Sequence, residues 1–201
     1  MKFNPEIQRR RSVRLRERDY SAAGKYFLTI CTRSRELILG IIENTNIILS
    51  PIGIIAERYW KNIPRHFPNV RLDEYCIMPN HIHGILIIED MADVGVQYEI
   101  PVNHIEPLPS SEPLHSVESH LHSFQHMVPK SIGSIIRAYK TAVTKRCKEN
   151  GFDQFIWQRN FYDRIIRDDG ELRRIQEYIR NNPANWEIDD ENPKKIDLKT
   201  K

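Results

Sequence analysis

Residues 70–88 read VRLDEYCIMPNHIHGILII and contain two stretches rich in β-branched and aromatic residues. The break between these stretches is Met78-Pro79-Asn80, a sequence typical of a turn. We therefore predict two strands, Val70–Ile77 and Ile82–Ile88, that pair as an antiparallel hairpin. This hairpin forms the centre of the predicted sheet, and the other elements are arranged around it.

Strands and helices are predicted on both sides of the hairpin. Upstream lie a strand-like stretch, Tyr26–Thr32, and a helix that begins at Pro51 and ends near Ile63. Downstream, apolar residues at a spacing of ~3.6 predict a helix over Ser131–Asn150. Three further elements follow, which are the strand-like stretches Gln154–Trp157 and Phe161–Ile166 and a helix that runs from Asp168 or Asp169 to Pro183.

The order of these elements is β-α-β-β-α-β-α. This order is typical of an α+β fold with ferredoxin-like (RRM-like) topology, in which helices cover one face of an antiparallel sheet. The last helix is an extra C-terminal helix beyond that topology. We predict a domain over residues 23–186, preceded by a basic N-terminal arm (1–22) and followed by a polar C-terminal tail (187–201).

Residues 90–128 differ in character from the rest of the predicted domain. They contain four prolines and five of the eight histidines. No regular hydrophobic period continues through them, so we interpret them as a flexible insertion. The insertion lies between a strand and a helix and therefore interrupts one domain rather than separating two.

Composition excludes several classes of protein. Of the 201 residues, 40% are hydrophobic and 28% are charged, as in ordinary globular proteins. No apolar stretch reaches the ~18 residues that a membrane span needs, and the start of the chain lacks the apolar core of a secretory signal. Cys31, Cys76 and Cys147 have no paired spacing, which argues against disulfides and a zinc knuckle. We expect a cytoplasmic protein without membrane partners.

Arginines cluster near the N-terminus, although the net charge is only +3. Residues 9–18, RRRSVRLRER, hold six arginines and one glutamate, a composition typical of segments that bind phosphate backbones. A solvated arm without a ligand has the same composition, so the cluster does not decide the function. The candidates for contacts with a nucleic-acid backbone are Arg9, Arg10, Arg11, Arg14, Arg16, Arg137, Lys140 and Arg159.

Two histidines lie at the start of the second strand of the hairpin. Because His81 and His83 are two residues apart, their side chains point to one face of the strand, with the Cα atoms ~7 Å apart. Two imidazoles on one face can bind one divalent cation. An ordinary pair of surface or core histidines has the same spacing. His120 and His122 repeat that spacing inside the insertion, where no pattern supports a site.

Tyr178 and Asn182 lie on the last predicted helix, in the stretch EYIRNNPANW. Residues four apart share a face of a helix. A tyrosine can attack a phosphodiester as a nucleophile, but with an ordinary pKa of ~10 it needs help, such as a nearby cation, to ionise. The amide oxygen of Asn182 suits a hard cation such as Mg²⁺ or Mn²⁺. A core tyrosine and a helix stop at Asn182-Pro183 would give the same sequence.

The motifs together point to a known family. In chain order they are RRSVRL, DYSAAGKYFLTICTRSR, EYCIMPNHIHGILI, IGSIIRAYKTAVTK, IWQRNFYDRIIRD and EYIRNNP. With these motifs the chain closely resembles the REP-associated tyrosine transposases, a branch of the single-tyrosine HUH endonucleases. The resemblance covers nearly the whole chain except residues 90–128 and the residues after Trp186.

The resemblance implies a fold, a site and a substrate. The family fold is the ferredoxin-like sheet with a C-terminal catalytic helix. The HUH strand maps onto His81, Ile82 and His83, the nucleophile onto Tyr178, and the third ligand of a divalent metal, Mg²⁺ or Mn²⁺, onto Asn182. The implied substrate is single-stranded DNA with palindromic hairpins. The implied reaction is cleavage and strand transfer through a 5′-phosphotyrosine.

Alternatives to this interpretation stay open at the level of sequence. Tyr162 in FYDRIIRD is a second candidate nucleophile, but Ile166, four residues later, cannot bind a metal. An HUH nickase that serves its host without transposing would have the same site. A catalytically silent, RRM-like nucleic-acid-binding domain would be expected to show paired aromatic residues on its central strands. The oligomeric state, monomer or homodimer, is also open.

Overall fold

The structure is a computed structural model that describes residues 23–90 and 131–194. Within these ranges it contains six strands and four α-helices. In chain order the strands are β1 (Gly24–Cys31), β2 (Gly40–Glu43), β3 (Asn46–Leu49), β4 (Val70–Ile77), β5 (His81–Ile88) and β6 (Tyr162–Ile166). The helices are α1 (Pro51–Lys61), α2 (Ile63–His66), α3 (Ile132–Glu149) and α4 (Asp169–Asn181), and short 3₁₀ helices cover Arg33–Arg35 and Trp186–Ile188. None of the described helices is long and apolar enough to cross a membrane.

Four of the strands form one antiparallel sheet in the order β4-β5-β1-β6. With α1 between β1 and β4, and α3 between β5 and β6, this is the ferredoxin-like arrangement, and the predicted α+β fold is confirmed. The predicted hairpin is the β4–β5 pair. Strand β5 begins at His81 rather than Ile82, so both histidines of the predicted pair lie within it.

Helices cover both faces of the sheet, which explains why all eight residues of β5 are buried. Ile82, Leu86 and Ile88 belong to the larger hydrophobic core, which α1 and α3 complete. Ile85 and Ile87 belong to a smaller cluster that includes residues of α4. Because successive side chains of a strand alternate between faces, the odd-numbered residues of β5 all point toward α4.

Gly84 allows α1 to approach β5 closely. The indole of Trp60, on α1, is fully buried and meets the ring of Tyr139, on α3, edge to face at 5.5 Å. A Cβ atom added to Gly84 would lie 2.3 Å from the Trp60 ring. The position therefore requires glycine for space, and not for an unusual backbone conformation.

Two segments differ from the sequence-based prediction. The β2–β3 hairpin was not predicted; its turn places Asn44 and Thr45 at positive φ, as tight hairpin turns require. The prediction of a strand over Gln154–Trp157 is wrong, because this stretch makes only an isolated bridge, between Trp157 and Thr32. It cannot extend further, since β1 ends at Cys31 and the chain then turns into a 3₁₀ helix.

The sheet has two distinct ends. At one end Cys31 pairs with His81, and at the other end Gly24 pairs with Ile88. The predicted arm (1–22) and nearly all of the predicted insertion (90–128) lie outside the described residues, and both join the sheet at the Gly24–Ile88 end. The predicted domain limits stay predictions.

The first testable prediction concerns Gly84. Gly84→Ala should lower the free energy of unfolding by about 1–3 kcal/mol, because the Trp60 ring has to move to accept the new methyl group. Gly24→Ala is the matched control, since its Cβ would have no neighbour nearer than 3.5 Å. Urea denaturation of both variants measures the difference. Equal stability of the two variants would contradict the close contact.

Candidate active site

Two buried histidines lie at the Cys31–His81 end of the sheet, on the face that α4 covers. His81 is 0% exposed and His83 is 3% exposed. Their ring centroids are 4.4 Å apart, so the two imidazoles share one face of β5 as the spacing predicted. Across the strand pair, His83 is opposite Thr29 on β1.

The amide of Asn80 fixes the protonation of His81. Its Nδ2 atom donates to the backbone oxygens of Arg35, at 3.2 Å, and Glu191, at 2.8 Å. Its Oδ1 atom therefore faces Nδ1 of His81, at 2.8 Å, and accepts a hydrogen bond from it. The other ring nitrogen of His81, Nε2, is buried and has no hydrogen-bond partner among the described residues. Burial holds the pKa of His81 well below its usual range, so the ring is neutral and Nε2 carries a lone pair.

His83 is held by β1 and faces the candidate nucleophile. Its Nδ1 atom lies 3.0 Å from Oγ1 of Thr29, and its ring stacks on Phe27 with the centroids 5.2 Å apart. Its Nε2 atom lies 3.2 Å from the hydroxyl of Tyr178. Burial lowers the pKa of His83 to about 4, so this imidazole is also neutral near pH 7.

Tyr178 and Asn182 face the same carboxylate at the end of α4. The Tyr178 hydroxyl lies 3.4 Å from Oδ2 of Asp189, and Nδ2 of Asn182 donates to the same oxygen at 2.8 Å. The shared helix face is the one that their spacing predicted. Tyr178 is 46% exposed and therefore open to a ligand, whereas Asn182 is buried. Oδ1 of Asn182 has no partner among the described residues.

Asp189 belongs to this site, although the sequence analysis did not identify it. It lies in the segment assigned to the polar tail (187–201), but Asp189 is buried, and the next two residues, Asp190 and Glu191, contact Arg35. The 3₁₀ helix Trp186–Ile188 turns the chain back toward the histidines. A cluster of carboxylates that begins six residues after the end of α4, EIDDE (187–191), is the only sequence signal for this role.

His81, His83 and Asp189 form a cluster of potential metal ligands. One donor atom of each residue lies within 4.8 Å of the others. Two imidazole nitrogens and one carboxylate oxygen are a donor set that divalent transition ions accept. The unpartnered nitrogen of His81 and the unpartnered oxygen of Asn182 fit the same interpretation, because buried polar atoms normally have a partner.

The surroundings of Tyr178 keep its phenol protonated in the absence of a ligand. Burial is the main reason that the Tyr178 pKa is raised above its usual value, and the negative charge of Asp189 adds to the effect. The phenol therefore needs a compensating positive charge before it can act as a nucleophile at neutral pH.

A β-bulge in β4 holds the helix that carries Tyr178. The register of the β4–β5 pair shifts at Asp73 and Glu74. Asp73 Oδ1 accepts a hydrogen bond from Gln176 at 2.8 Å, and Glu74 Oε1 accepts one from Arg180, also at 2.8 Å. These two helix residues lie two positions before and two positions after Tyr178. The bulge therefore fixes the helix at the turn from which the nucleophile candidate projects.

Tyr162, the alternative nucleophile, lies farther from the histidines. It pairs with Thr29 across the β1–β6 edge and is 42% exposed. Because β1 separates β6 from β5, Tyr162 lies two strands away from His83. Among the described contacts, the tyrosine hydroxyl at His83 is that of Tyr178.

The candidate DNA-binding residues differ in their exposure and in their contacts within the protein. Arg137 on α3 and Arg159 after Trp157 are exposed. Lys140 instead donates to the backbone oxygens of Gln158 and Asn160, at 2.9 and 3.0 Å. Burial lowers its pKa to about 8. The remaining candidates lie outside the described residues; they are Arg9, Arg10, Arg11, Arg14 and Arg16. His120 and His122 also lie outside the described residues.

Comparison with known proteins shows what the chain is similar to. No model of a known protein family matches it. The chain is 39% identical to an uncharacterized protein of Haemophilus influenzae, over 94% of this chain and 96% of that protein. It is 25% identical to a second H. influenzae protein, named as a REP-associated tyrosine transposase, over 83% of this chain and 74% of that protein. A solved REP-associated tyrosine transposase bound to a REP hairpin has a similar fold, with a TM-score of 0.51 and 18% identity over 86% of this chain and 74% of that one.

The second testable prediction concerns the position of α4. Glu74→Arg or Arg180→Glu should each speed backbone hydrogen exchange in α4 by a factor of about two to five, because a partly exposed ion pair contributes ~0.2–1 kcal/mol. The double exchange restores the pair with its charges reversed and should bring the exchange rates back toward those of the original protein. A double variant whose effect equals the sum of the two single effects would show that the pair does not hold the helix.

Proposed function

We propose that this chain, which is similar to a REP-associated tyrosine transposase of H. influenzae and to a solved structure of another, cleaves and rejoins single-stranded DNA in a metal-dependent reaction. The observation that carries the proposal is the position of the Tyr178 hydroxyl, 3.2 Å from Nε2 of the neutral, buried His83. This arrangement brings a nucleophile candidate and a metal-ligand candidate together on two different elements, β5 and α4. A tyrosine that served only to fill the hydrophobic core would not be expected to have its hydroxyl beside a candidate metal ligand.

His81, His83 and Asp189 are the residues proposed to hold a divalent cation, Mg²⁺ or Mn²⁺. Oδ1 of Asn182 is the candidate for a fourth donor, since it is buried and has no partner among the described residues. The hydrogen bond from Nδ1 of His81 to Asn80 leaves Nε2 of His81 ready to bind a cation, as the hydrogen-bond partners of metal-binding histidines usually do. When bound, the cation polarises the scissile phosphate and offsets the charge that develops on it.

Tyr178 then acts on the phosphodiester. Its oxygen bonds to phosphorus as its proton is lost to water, since Tyr178 is 46% exposed. The bond from phosphorus to the 3′ oxygen breaks, and this oxygen takes up a proton and leaves as a free 3′-OH. The product is a 5′-phosphotyrosine. A second 3′-OH can reverse these changes and join a new strand, so the cycle needs no nucleotide cofactor.

The proposed substrate is single-stranded DNA that carries a palindromic hairpin. Support comes from the similar structure that holds a REP hairpin and from the exposed position of Tyr178. An exposed tyrosine at the end of a helix can reach a phosphate in a single strand, where no second strand blocks the approach. A host enzyme that nicks such DNA without transposing would use the same residues.

The third testable prediction identifies the nucleophile. Tyr178→Phe removes one oxygen and keeps the ring against Phe27, so the fold should persist. With hairpin DNA and Mg²⁺ or Mn²⁺, this variant should form no covalent protein–DNA adduct in a denaturing gel. Tyr162→Phe is the matched control and should form the adduct as the original protein does. An adduct that disappears in the control and remains in Tyr178→Phe would reverse the assignment.

The fourth testable prediction concerns the metal. Asp189→Asn should weaken Mn²⁺ binding, measured by water-proton relaxation, by about tenfold or more, because an amide replaces a charged ligand. Asp190→Asn makes the same charge change at the neighbouring residue, which is exposed, and should leave Mn²⁺ binding within about twofold. Equal effects of the two variants would mean that Asp189 acts only through its charge at a distance.

A further inference from the structure

An open cleft of about 450 Å³ lies next to the candidate active site. Its lining comes from two segments that are distant in sequence, the turn after β1 and the stretch before β6. The lining residues are Arg33, Ser34, Arg35, Trp157, Gln158 and Arg159. Of these, only Arg159 was a candidate in the sequence analysis.

Backbone hydrogen bonds hold the two walls of the cleft together. The amide of Arg33 donates to the oxygen of Ile156, and the amide of Gln158 donates to the oxygen of Cys31, both at 2.9 Å. The 3₁₀ turn itself is unusual, because Ser34 and Arg35 both have positive φ, at 53° and 58°. A non-glycine residue in this conformation costs energy that the surrounding contacts have to offset. The hydrogen bonds and the turn therefore give the cleft a defined shape.

Positive charge dominates the opening of the cleft. Arg33 and Arg159 are exposed, and neither forms an ion pair within the described ranges 23–90 and 131–194. Arg35 differs, because it pairs with Glu191 and donates to the backbone oxygen of Asp190. Two guanidinium groups therefore remain available to a ligand, while the third ties the cleft to the segment that carries Asp189.

The cleft and the candidate active site share a wall. Asn80, which orients His81, donates to the backbone oxygen of Arg35 on the rim of the cleft. The backbone amide of Thr32, between Cys31 and the cleft, donates to the oxygen of the same Asn80 at 2.9 Å. The candidate active site and the cleft therefore adjoin through Asn80 and the turn that carries Arg35.

We propose that the cleft binds a phosphodiester of the single strand beside the one that is cleaved, with Arg33 and Arg159 as its contacts. The inference rests on the proposed function and adds a second DNA site to it. Guanidinium groups are suited to phosphate because their planar donors match its oxygens. Trp157 is only 7% exposed, so it forms a wall and offers no face on which a base can stack. The cleft therefore contacts the backbone of the strand and not its bases.

The experiment measures how DNA binding depends on salt. The protein carries Tyr178→Phe to prevent cleavage, and the probe is a fluorescent hairpin oligonucleotide with a single-stranded flank of mixed sequence. Each phosphate contact to a single strand contributes ~0.7 to the slope of log K against log salt concentration. Because both arginines contact the same phosphate, Arg33→Gln with Arg159→Gln should reduce the slope by about 0.7. Arg58→Gln with Arg65→Gln, two exposed arginines on α1 and α2, is the control and should leave the slope unchanged.

A second measurement locates the contact. The probes carry one neutral methylphosphonate linkage, which is moved along the flank. At one position next to the cleavage site, the original protein and the Arg33→Gln, Arg159→Gln variant should bind with equal affinity, because the probe then lacks the charge that the arginines contact. A slope in the cleft variant equal to that of the control, or no such position, would overturn the proposal. If the slope falls as expected but protein with Tyr178 forms no covalent adduct, the cleft stands and the proposed enzymatic function fails. If no single-stranded probe binds, both fail.

Discussion

The burial of β5 on both faces is the constraint on which the site depends. Even-numbered side chains of this strand complete the core under α1 and α3, and odd-numbered side chains face α4. Two imidazoles placed on the second face lose their contact with water, and each would be costly to bury without hydrogen bonds. Asn80 and Thr29 each bond the Nδ1 atom of one ring, so among the described residues Nε2 of His81 has no partner and Nε2 of His83 faces Tyr178. The packing of the sheet thus determines the chemistry of its histidines.

Buried polar groups also lie between β5 and the end of α4. A buried carboxylate, an amide and two neutral imidazoles lie together, and within residues 23–90 and 131–194 an atom of His81 and one of Asn182 have no hydrogen-bond partner. An unsatisfied buried polar atom typically costs ~1–3 kcal/mol. Such a cost is common where structure is kept for function rather than for stability. A bound cation would satisfy these atoms and stabilise the folded protein, since a ligand that binds only the folded state adds to its stability.

The sequence predicted the parts of the fold and site that depend on short-range patterns. The alternation on β5 and the spacing of four between Tyr178 and Asn182 each place side chains by geometry alone. Asp189 could not be found in this way, because its position depends on a turn after the helix rather than on a period. Arg33 was missed for a similar reason: it is distant in sequence from Arg159, which was a candidate, and only the pairing of Thr32 with Trp157 brings the two arginines together.

The two ends of the sheet have different freedom to change during evolution. Residues 1–23 and 91–130 join the fold at the Gly24–Ile88 end, and β5 spans eight residues, or roughly 24 Å, between that end and His81. Segments can therefore be lengthened, shortened or exchanged there without moving a ligand or the nucleophile. Related chains are free to diverge in these regions while the reacting groups keep their geometry.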